Sequence, residues 1–352
     1  MLTIKRTFHA VGQGGLYSER ITTNNKTITV VYDCGVQPSN KRIEREIKSL
    51  RGSEIDYLVL SHFHNDHING VEELRKHTNI KSVVIPKLDP IEVCFYLLKG
   101  NTIKRLVLDP RSYFGSEINV IEVDNSDSVR DNDQGLISHI TDLLIFSDQD
   151  NLEWVLRFYV DKTRLDISNL SQSDKNIIDS ITTIKDFESK EDVLKKIYNS
   201  ISKNKPNYTS MSMLSTYRSW NISNWQPPIV SLLNGDIELK EDKQMQRYIA
   251  HYRSYLCRNI DFQIPHHGSK NNLMRPLTEW VIDRAIVNCG RTNSYNHPSY
   301  MILRDHQDLG VRCDVITEYD LNVCGEYFNG INYQSSKEQR RKVKITQILK
   351  SK

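Results

Sequence analysis

The chain has 352 residues, of which 38% are hydrophobic and 26% are charged. These values are typical of a folded globular protein and exclude an extended disordered chain. The net charge of +3 is unevenly distributed, because residues 337–352 carry seven Lys or Arg residues and one Glu. This basic tail could attract phosphate groups. The alternating pattern at 342–345 is equally typical of a solvated terminal strand.

Features of membrane and secreted proteins are missing from the sequence. No run approaches about 18 uninterrupted apolar residues, so we expect no transmembrane helix. Residues 1–6 lack an apolar signal-peptide core and resemble the start of a strand. The six cysteines are scattered without a Cys-x-x-Cys pair, which favours buried, reduced thiols over disulfides or a zinc ribbon. We therefore expect a cytoplasmic protein with no membrane contact.

Strand and helix patterns alternate in the N-terminal part of the chain. The runs 27–32, 55–60 and 80–85 are apolar or β-branched, as in strands, whereas 40–50 and 69–77 have helical patterns. This alternation predicts an α/β (α+β) fold. Later segments continue it, with strands at 211–216, 229–233, 262–264 and 285–287 and a helix at 238–256.

The segment 161–206 has a different pattern. Two sets of apolar residues lie at helical spacing there: Ile177, Ile178, Ile181 and Ile184, and then Val193, Leu194, Ile197 and Ile201. They predict a helical hairpin inserted between strands. The hairpin could be a lid, a docking surface for a protein partner, or a cover for one edge of a sheet.

The segment Ser61-His62-Phe63-His64-Asn65-Asp66-His67 is the most informative in the chain. It places three histidines and one carboxylate directly after a predicted buried strand and before a predicted helix. Imidazole and carboxylate ligands suit zinc, manganese or iron. We expect His62 and His64 to share one metal ion, and Asp66 and His67 to reach a second.

Three later segments supply further candidate residues. Asp236 follows Asn-Gly at a strand end and could bridge two metals, although such a turn alone is common. His266 and His267 are adjacent at another strand end, which suits one metal ligand and one neighbour that touches substrate. His297 precedes a proline, a position at which a histidine is usually structural.

The pattern His62-x-His64-x-Asp66-His67 resembles the metallo-β-lactamase superfamily. Further motifs resemble the hydrolase domain of ComEC-type DNA-uptake proteins: 11–14, 32–35, 234–236, 265–269 and 295–298. The resemblance implies a four-layer αββα sandwich. It predicts one domain over 1–352, with the insertion 161–206 and the basic tail 337–352.

The resemblance also implies a ligand set for one or two divalent ions, Zn or Mn. His62 and His64 would bind the first metal ion. Asp66 and His67 would bind the second, together with His267 or His266, of which we favour His267. Asp236 would bridge the two ions, and Asp33 would orient a ligand histidine.

Five residues are predicted to act in catalysis. Asp66 or Asp236 could accept a proton from the attacking water. His266, His297 and Lys270 could stabilise negative charge that develops on the substrate. The resemblance further implies that His297 contacts a phosphate or assists the leaving group.

One departure from the superfamily pattern concerns the first metal. Many members supply a further histidine between the first motif and the bridging aspartate, where this chain has Asn207-Tyr208-Thr209-Ser210. His139 is the one histidine between positions 78 and 235, and its surroundings match no motif. The sequence thus predicts an open ligand set for the first ion. It also lacks the membrane channel of ComEC proteins, so DNA uptake is not implied.

These features predict a metal-dependent hydrolase that cleaves phosphodiesters, most plausibly nucleic acid. The alternatives are a hydrolase of a small ester, lactone, lactam or cyclic nucleotide, because one fold hosts many substrates. A metal-stabilised binding module without catalysis is a further alternative. A protein partner could dock on the insertion 161–206.

Overall fold

The computed structural model of the chain describes residues 2–37, 41–98, 103–124, 142–147, 152–160, 170–201, 209–219, 230–255, 260–273, 275–328 and 332–334. Its strands are β1 Thr3–Phe8, β2 Gly14–Thr22, β3 Thr27–Val36, β4 Glu54–Val59, β5 Asn79–Pro86, β6 Asn119–Val123, β7 Asp142–Ser147, β8 Leu152–Val160, β9 Met211–Ser219, β10 Val230–Leu233, β11 Ile260–Gln263, β12 Ile282–Asn288, β13 Arg312–Ile316, β14 Val323–Phe328 and β15 Asn332–Gln334. Its helices are α1 Lys41–Ser49, α2 Asn65–Ile68, α3 Val71–His77, α4 Pro90–Leu98, α5 Lys104–Leu108, α6 Pro110–Phe114, α7 Gln172–Asp179, α8 Ile184–Ile201, α9 Asp242–Tyr252 and α10 Tyr300–Asp308.

The described strands form two sheets. One has the order β15-β14-β1-β2-β3-β4-β5-β6, and the other has the order β13-β12-β11-β10-β9-β8-β7. Strands β3 to β6 are parallel in the first sheet, and β10 to β13 are parallel in the second. In such sheets, ligands bind beyond the carboxyl ends of the strands. The loops that follow β4, β10, β11 and β12 leave from these ends.

Three apolar clusters separate four layers. The first lies between one sheet and the helices α1 and α3 to α8, with Leu74 and Phe95 among its members. The second lies between the sheets and contains Trp154. The third lies between the other sheet and helices α9 and α10, and includes Tyr248 and Leu303. This is the predicted αββα sandwich, and each large side chain that it buries contributes about 1.5–3 kcal/mol.

The predicted secondary structure agrees best where the apolar period is clear. The helix predicted at 69–77 is α3, and a separate short helix that was not predicted, α2, precedes it inside the histidine motif. Helix α4 was not predicted, because six of its nine residues are buried and it therefore lacks a polar face. The helix predicted at 238–256 is shorter, as α9 spans Asp242–Tyr252.

Helices α7 and α8 lie between β8 and β9, inside the predicted insertion. Their apolar positions Ile178, Leu194 and Ile197 are buried in the cluster that contains α4. The Phe95 ring of α4 meets Tyr198 of α8 edge-on, with 4.7 Å between ring centroids. One side of the hairpin therefore covers the outer helical layer, and a protein partner on its other side stays a prediction.

Other expectations concern cysteines, membranes and the tail. Cys34, Cys94, Cys289, Cys313 and Cys324 are free thiols, while Cys257 lies outside the described residues. Within the described ranges, none of the helices combines the length and apolar character that crossing a bilayer requires. The basic tail 337–352 also lies outside those ranges.

A buried ion-pair network joins the two sheets. Arg6 of β1 is fully buried, and its Nε donates to Glu19 of β2 at 2.6 Å. Within the second sheet, Arg284 of β12 makes two 2.9 Å hydrogen bonds to Asp261 of β11. The Asp261 carboxylate lies 3.9 Å from Arg6, across the interface between the sheets. Arg6 also donates to the backbone oxygen of Ser215. Each charge in this network depends on its partners, because an unpaired buried charge is costly.

We expect Glu19→Gln to lower the free energy of unfolding by about 3–5 kcal/mol, because it leaves the Arg6 charge buried without its carboxylate. Urea denaturation measures this loss. The control is Glu191→Gln, which removes the exposed Glu191–Lys195 pair and should cost less than about 1 kcal/mol. Equal losses in the two variants would contradict the assigned role of the network.

Candidate metal centre

The Asp33 carboxylate connects three elements at the base of the histidine cluster. It lies in β3 and accepts hydrogen bonds from the backbone N and Oγ of Ser61, at 2.7 and 2.8 Å. It also accepts from Nδ1 of His67 in α2, at 2.7 Å. A carboxylate can only accept, so it fixes the proton of His67 on Nδ1 and leaves Nε2 as a lone pair. Asp33 thus occupies the orienting position that the sequence predicts for it.

The same reasoning assigns the proton positions of two further histidines. Because Ser61 Oγ donates to Asp33, it accepts from Nδ1 of His62, at 2.9 Å. His267 Nδ1 donates to the backbone oxygen of Asn288, at 2.9 Å. Nε2 of both histidines is therefore unprotonated and faces the cluster, as a metal ligand requires.

The cluster is assembled from distant parts of the chain. Asp236, in the loop after β10, lies 3.5 Å from Nε2 of His62 and 3.3 Å from Nε2 of His67. Nε2 of His267 lies 3.3 Å from Oδ2 of Asp66. Three groups have ligand atoms within 4.8 Å of one another and could hold a metal ion: His62, His64 and Asp66; His62, His67 and Asp236; and Asp66, His67 and His267.

Two buried atoms are consistent with a cation in this cluster. His67 Nε2 and Asp236 Oδ1 are buried without a hydrogen-bond partner among the described residues, although they lie 3.3 Å apart. In neutral His67, with the proton on Nδ1, both atoms are acceptors, and two facing acceptors repel each other unless a proton or a metal cation lies between them. The donor set of nitrogen and carboxylate oxygen suits zinc or manganese.

The pKa shifts of His67 and Asp236 also show that the cluster favours positive charge. Burial lowers the pKa of His67, but the carboxylates of Asp33 and Asp236 outweigh it and raise that pKa well above its usual value. Burial raises the pKa of Asp236, yet His266, His67 and His62 hold it well below the usual range. The carboxylates are thus kept ionised by their imidazole neighbours, and the cluster attracts cations.

A network of amides holds the Asp236 loop in place. Gln263 Oε1 accepts from the backbone N of Asn234 and of Gly235, at 2.9 and 3.2 Å. The Asn234 side chain donates to the backbone oxygen of Gln263 and accepts from the Tyr248 hydroxyl. Asp236 N donates to Ser210 Oγ at 3.0 Å. The loop is therefore preorganised to aim the Asp236 carboxylate at the histidines.

Unusual backbone conformations concentrate at the same place. Among the described residues, the non-glycine residues with positive φ are Asp33, His266, His267 and Asn296, which lie in the cluster or next to His297. Gly235 is also left-handed, and a Cβ there would lie 2.6 Å from Ser61 Oγ. Such strain persists only where the surroundings enforce it, as at functional sites.

The predicted catalytic histidines lie on one side of the carboxylates. His266 Nε2 is 3.6 Å from Asp236 Oδ2, and the His266 and His297 rings lie 5.5 Å apart. Gln13 accepts from the backbone N of Gly290, so its amide nitrogen faces His297 Nδ1 at 3.5 Å. His297 therefore carries its proton on Nε2 when neutral. Sequence reasoning missed Gln13, although it lies within the motif 11–14.

Lys270 does not join this group. Its side chain is exposed, and no hydrogen bond or ion pair to a described residue connects it to the cluster. The adjacent Ser269, which follows the 3₁₀ turn His266–Gly268, is buried. A role for Lys270 in stabilising substrate charge stays a prediction from the sequence.

The chain positions that might have supplied a further histidine contain hydroxyl residues instead. Thr209 Oγ1 donates to the buried carboxylate of Glu92, and Ser210 Oγ accepts from Asp236 N. Asn207 and Tyr208, like His139, lie outside the described residues. Among the described residues, the group around His62 and His64 has two histidines and a carboxylate, but no third histidine.

A family model supports the assignment that fold and site suggest. The model of the metallo-beta-lactamase superfamily matches residues 21–139, a third of the chain that includes the histidine motif. No curated protein matches the chain. Over these residues the chain is similar to the metallo-beta-lactamase superfamily, whose members are generally metal-dependent hydrolases.

Similar solved structures have low identity to this chain. The metallo-beta-lactamase fold protein YhfI from Bacillus subtilis is 9% identical, with 92% of this chain and 100% of that chain covered and a TM-score of 0.40. A long form RNase Z from yeast is 14% identical, with 88% of this chain and 34% of that chain covered and a TM-score of 0.27. The metallo-beta-lactamase SMB-1 is 12% identical, with 80% of this chain and 79% of that chain covered and a TM-score of 0.28.

We expect Asp33→Asn to weaken zinc binding about 10- to 100-fold, because the amide can donate to His67 Nδ1 and no longer fixes its tautomer. Asparagine tolerates positive φ, so the backbone should be retained. Competition with a chromophoric zinc chelator measures the affinity.

The control for this variant is Asp56→Asn, in a carboxylate of β4 that binds Thr29 N and Lys81 away from the cluster. Its zinc affinity should equal that of the wild type. If Asp33→Asn also retained wild-type affinity, the orienting role of Asp33 would be wrong.

We expect zinc or manganese to stabilise the folded protein. An ion present at 100 times its Kd should add about 2.7 kcal/mol to the free energy of unfolding, because the facing acceptors exist only in the folded state. Thermal melts with metal and with EDTA measure the difference. Asp236→Asn should abolish it, and Asp56→Asn should keep it. If neither metal nor EDTA changed the melting temperature of the wild type, the metal centre would be contradicted.

Proposed function

We propose that this protein is a metal-dependent phosphodiesterase that hydrolyses nucleic acid. The observation that carries the proposal is the pair of imidazoles, His266 and His297, beside the carboxylate cluster. A phosphodiester remains anionic throughout its hydrolysis, so donors aimed at its oxygens stabilise the transition state. The likeness of five ordered motifs to ComEC-type hydrolase domains supports the same substrate class.

Each ligand residue has a proposed place. His62 and His64 would hold one ion, with Asp236 shared. Asp66, His67 and His267 would hold the other. Divalent ions bound there would supply Lewis acidity and lower the pKa of water to ~7.

The two ion positions are unequal in ligands. In this assignment the second ion has Asp66, His67 and His267, whose ligand atoms lie within 4.8 Å of one another. The first ion has His62 and His64 besides the shared Asp236. Occupancy by one or two ions is consistent with this difference. The second position is the better candidate for an ion that stays bound without substrate.

The remaining side chains position the substrate and move protons. Asp66 or Asp236 would accept a proton from the attacking water. Neutral His297 would carry its proton on Nε2 and would donate it to a phosphodiester oxygen or to the leaving oxygen. His266, which is partly exposed, would contact a non-bridging oxygen. The P–O bond to the leaving group breaks as the water oxygen bonds to phosphorus.

We expect Asp66→Asn and Asp236→Asn each to lower kcat/KM for phosphodiester hydrolysis at least about 100-fold, because each removes a carboxylate ligand. The assay uses single-stranded DNA, RNA, cyclic nucleotides and a chromogenic lactam, each with manganese and with zinc. Circular dichroism verifies that the variants fold, and Asp56→Asn serves as the active control.

The substrate panel also separates the alternatives. Cleavage of the lactam alone would contradict the proposed phosphodiester class. If biological activity survived the loss of both carboxylates in a folded protein, the protein would be a binding module and the catalytic proposal would fail.

A further inference from the structure

Tyr295 is an exposed aromatic residue beside the proposed catalytic histidines. It lies in the loop between β12 and α10, and 55% of its surface is accessible. Its ring stacks on His297, with 5.7 Å between centroids and 28° between planes. His297 in turn lies 5.5 Å from His266, whose Nε2 is 3.6 Å from Asp236. The Tyr295 ring therefore lies next to His297, one of the two imidazoles that are proposed to face the substrate.

The loop that carries Tyr295 is fixed by one amide. The Asn293 side chain accepts from the backbone N of Tyr295 and of His297, at 3.1 and 3.0 Å. It also donates to the backbone oxygens of Gly290 and His297, both at 2.6 Å. Because the loop is already ordered, a ligand that stacks on Tyr295 loses little affinity to loop ordering.

A second aromatic lies next to the same loop. The Arg291 guanidinium carbon is 5.6 Å from the centre of the Tyr319 ring, and Tyr319 is among the most exposed large side chains of the described residues. Arg291 N donates to the Glu318 carboxylate, which offsets part of the local positive charge. Stacking on the aromatic rings, rather than attraction by net charge, is therefore the main interaction that this surface can make with a ligand.

We propose that Tyr295 is a base-stacking platform that positions an unpaired nucleotide next to the phosphodiester to be cleaved, and that Tyr319 and Arg291 extend this surface. The inference rests on the proposed function and specifies its substrate as single-stranded nucleic acid. Aromatic faces stack on any base, so such a platform selects single strands without reading sequence. A base within a duplex has both faces covered by its neighbours and cannot use the platform.

The test compares two substrates with the metal-loaded protein. One is a single-stranded oligothymidylate, and the other is an oligomer of equal length whose residues are abasic. Tyr295→Ala should raise KM for the oligothymidylate about 5- to 150-fold, the equivalent of ~1–3 kcal/mol for one stacked base. It should leave kcat/KM for the abasic oligomer unchanged, because that substrate has no base to stack.

Two control variants separate stacking from general damage. Tyr295→Phe keeps the aromatic face and should retain the wild-type KM. Leu309→Ala removes an exposed apolar side chain at the far end of α10 and should change neither substrate. If Tyr295→Ala impaired both substrates equally, or impaired neither, the platform would be wrong while the proposed phosphodiesterase activity stood.

A binding measurement covers the case in which the wild type cleaves no phosphodiester. Fluorescence anisotropy of labelled oligothymidylate would then be compared between wild type and Tyr295→Ala, with the abasic oligomer as control. Weaker binding of the oligothymidylate alone would support the platform although the proposed hydrolysis had failed. Equal binding of the oligothymidylate by wild type and Tyr295→Ala would overturn the platform as well.

Discussion

The hydrogen bonds accepted by the buried Asp33 carboxylate are the interaction on which the site depends. They tie β3 to the end of β4 and to α2, and they set the proton position of His67 directly and of His62 through Ser61. A Cβ at Gly35 would collide with the backbone of Asp66 and His67, so the close approach of α2 to β3 requires glycine there. The metal-binding atoms are thus oriented by the fold before any ion arrives.

The two sheets make complementary contributions to the centre. The first sheet supplies the histidine motif and Asp33, and the second supplies Asp236, His266 and His267 on loops that follow its parallel strands. Their separation is held by the apolar cluster between the sheets and by the contacts of buried Arg6 with Asp261 and with the backbone oxygen of Ser215. Because packed interiors resist deformation, the distance between the two halves of the site is set far from the site itself.

The outer part of the site differs in character from its buried base. At the base, histidines lie among carboxylates, and the proton positions of His62, His67 and His267 follow from the acceptors beside them. Towards solvent, His266 and His297 are followed by the exposed rings of Tyr295, which stacks on His297, and Tyr319. This gradient from charged ligands to imidazoles to aromatic faces matches the parts of a nucleotide, in which an anionic phosphate is joined to a flat base.

The sequence by itself indicated an α/β arrangement through its apolar periodicity, which is a local property. The αββα class and the candidate ligands came from the resemblance carried by the local spacing His62-x-His64-x-Asp66-His67. It also indicated Asp33 and His297 through their motifs. The structure alone decided which atoms converge, since Asp236 meets His62 across a separation that only sheet packing closes. It also decided the tautomers, the place of Gln13 and the stacking of Tyr295 on His297. These depend on left-handed backbone positions and on contacts between distant segments, which no local pattern encodes.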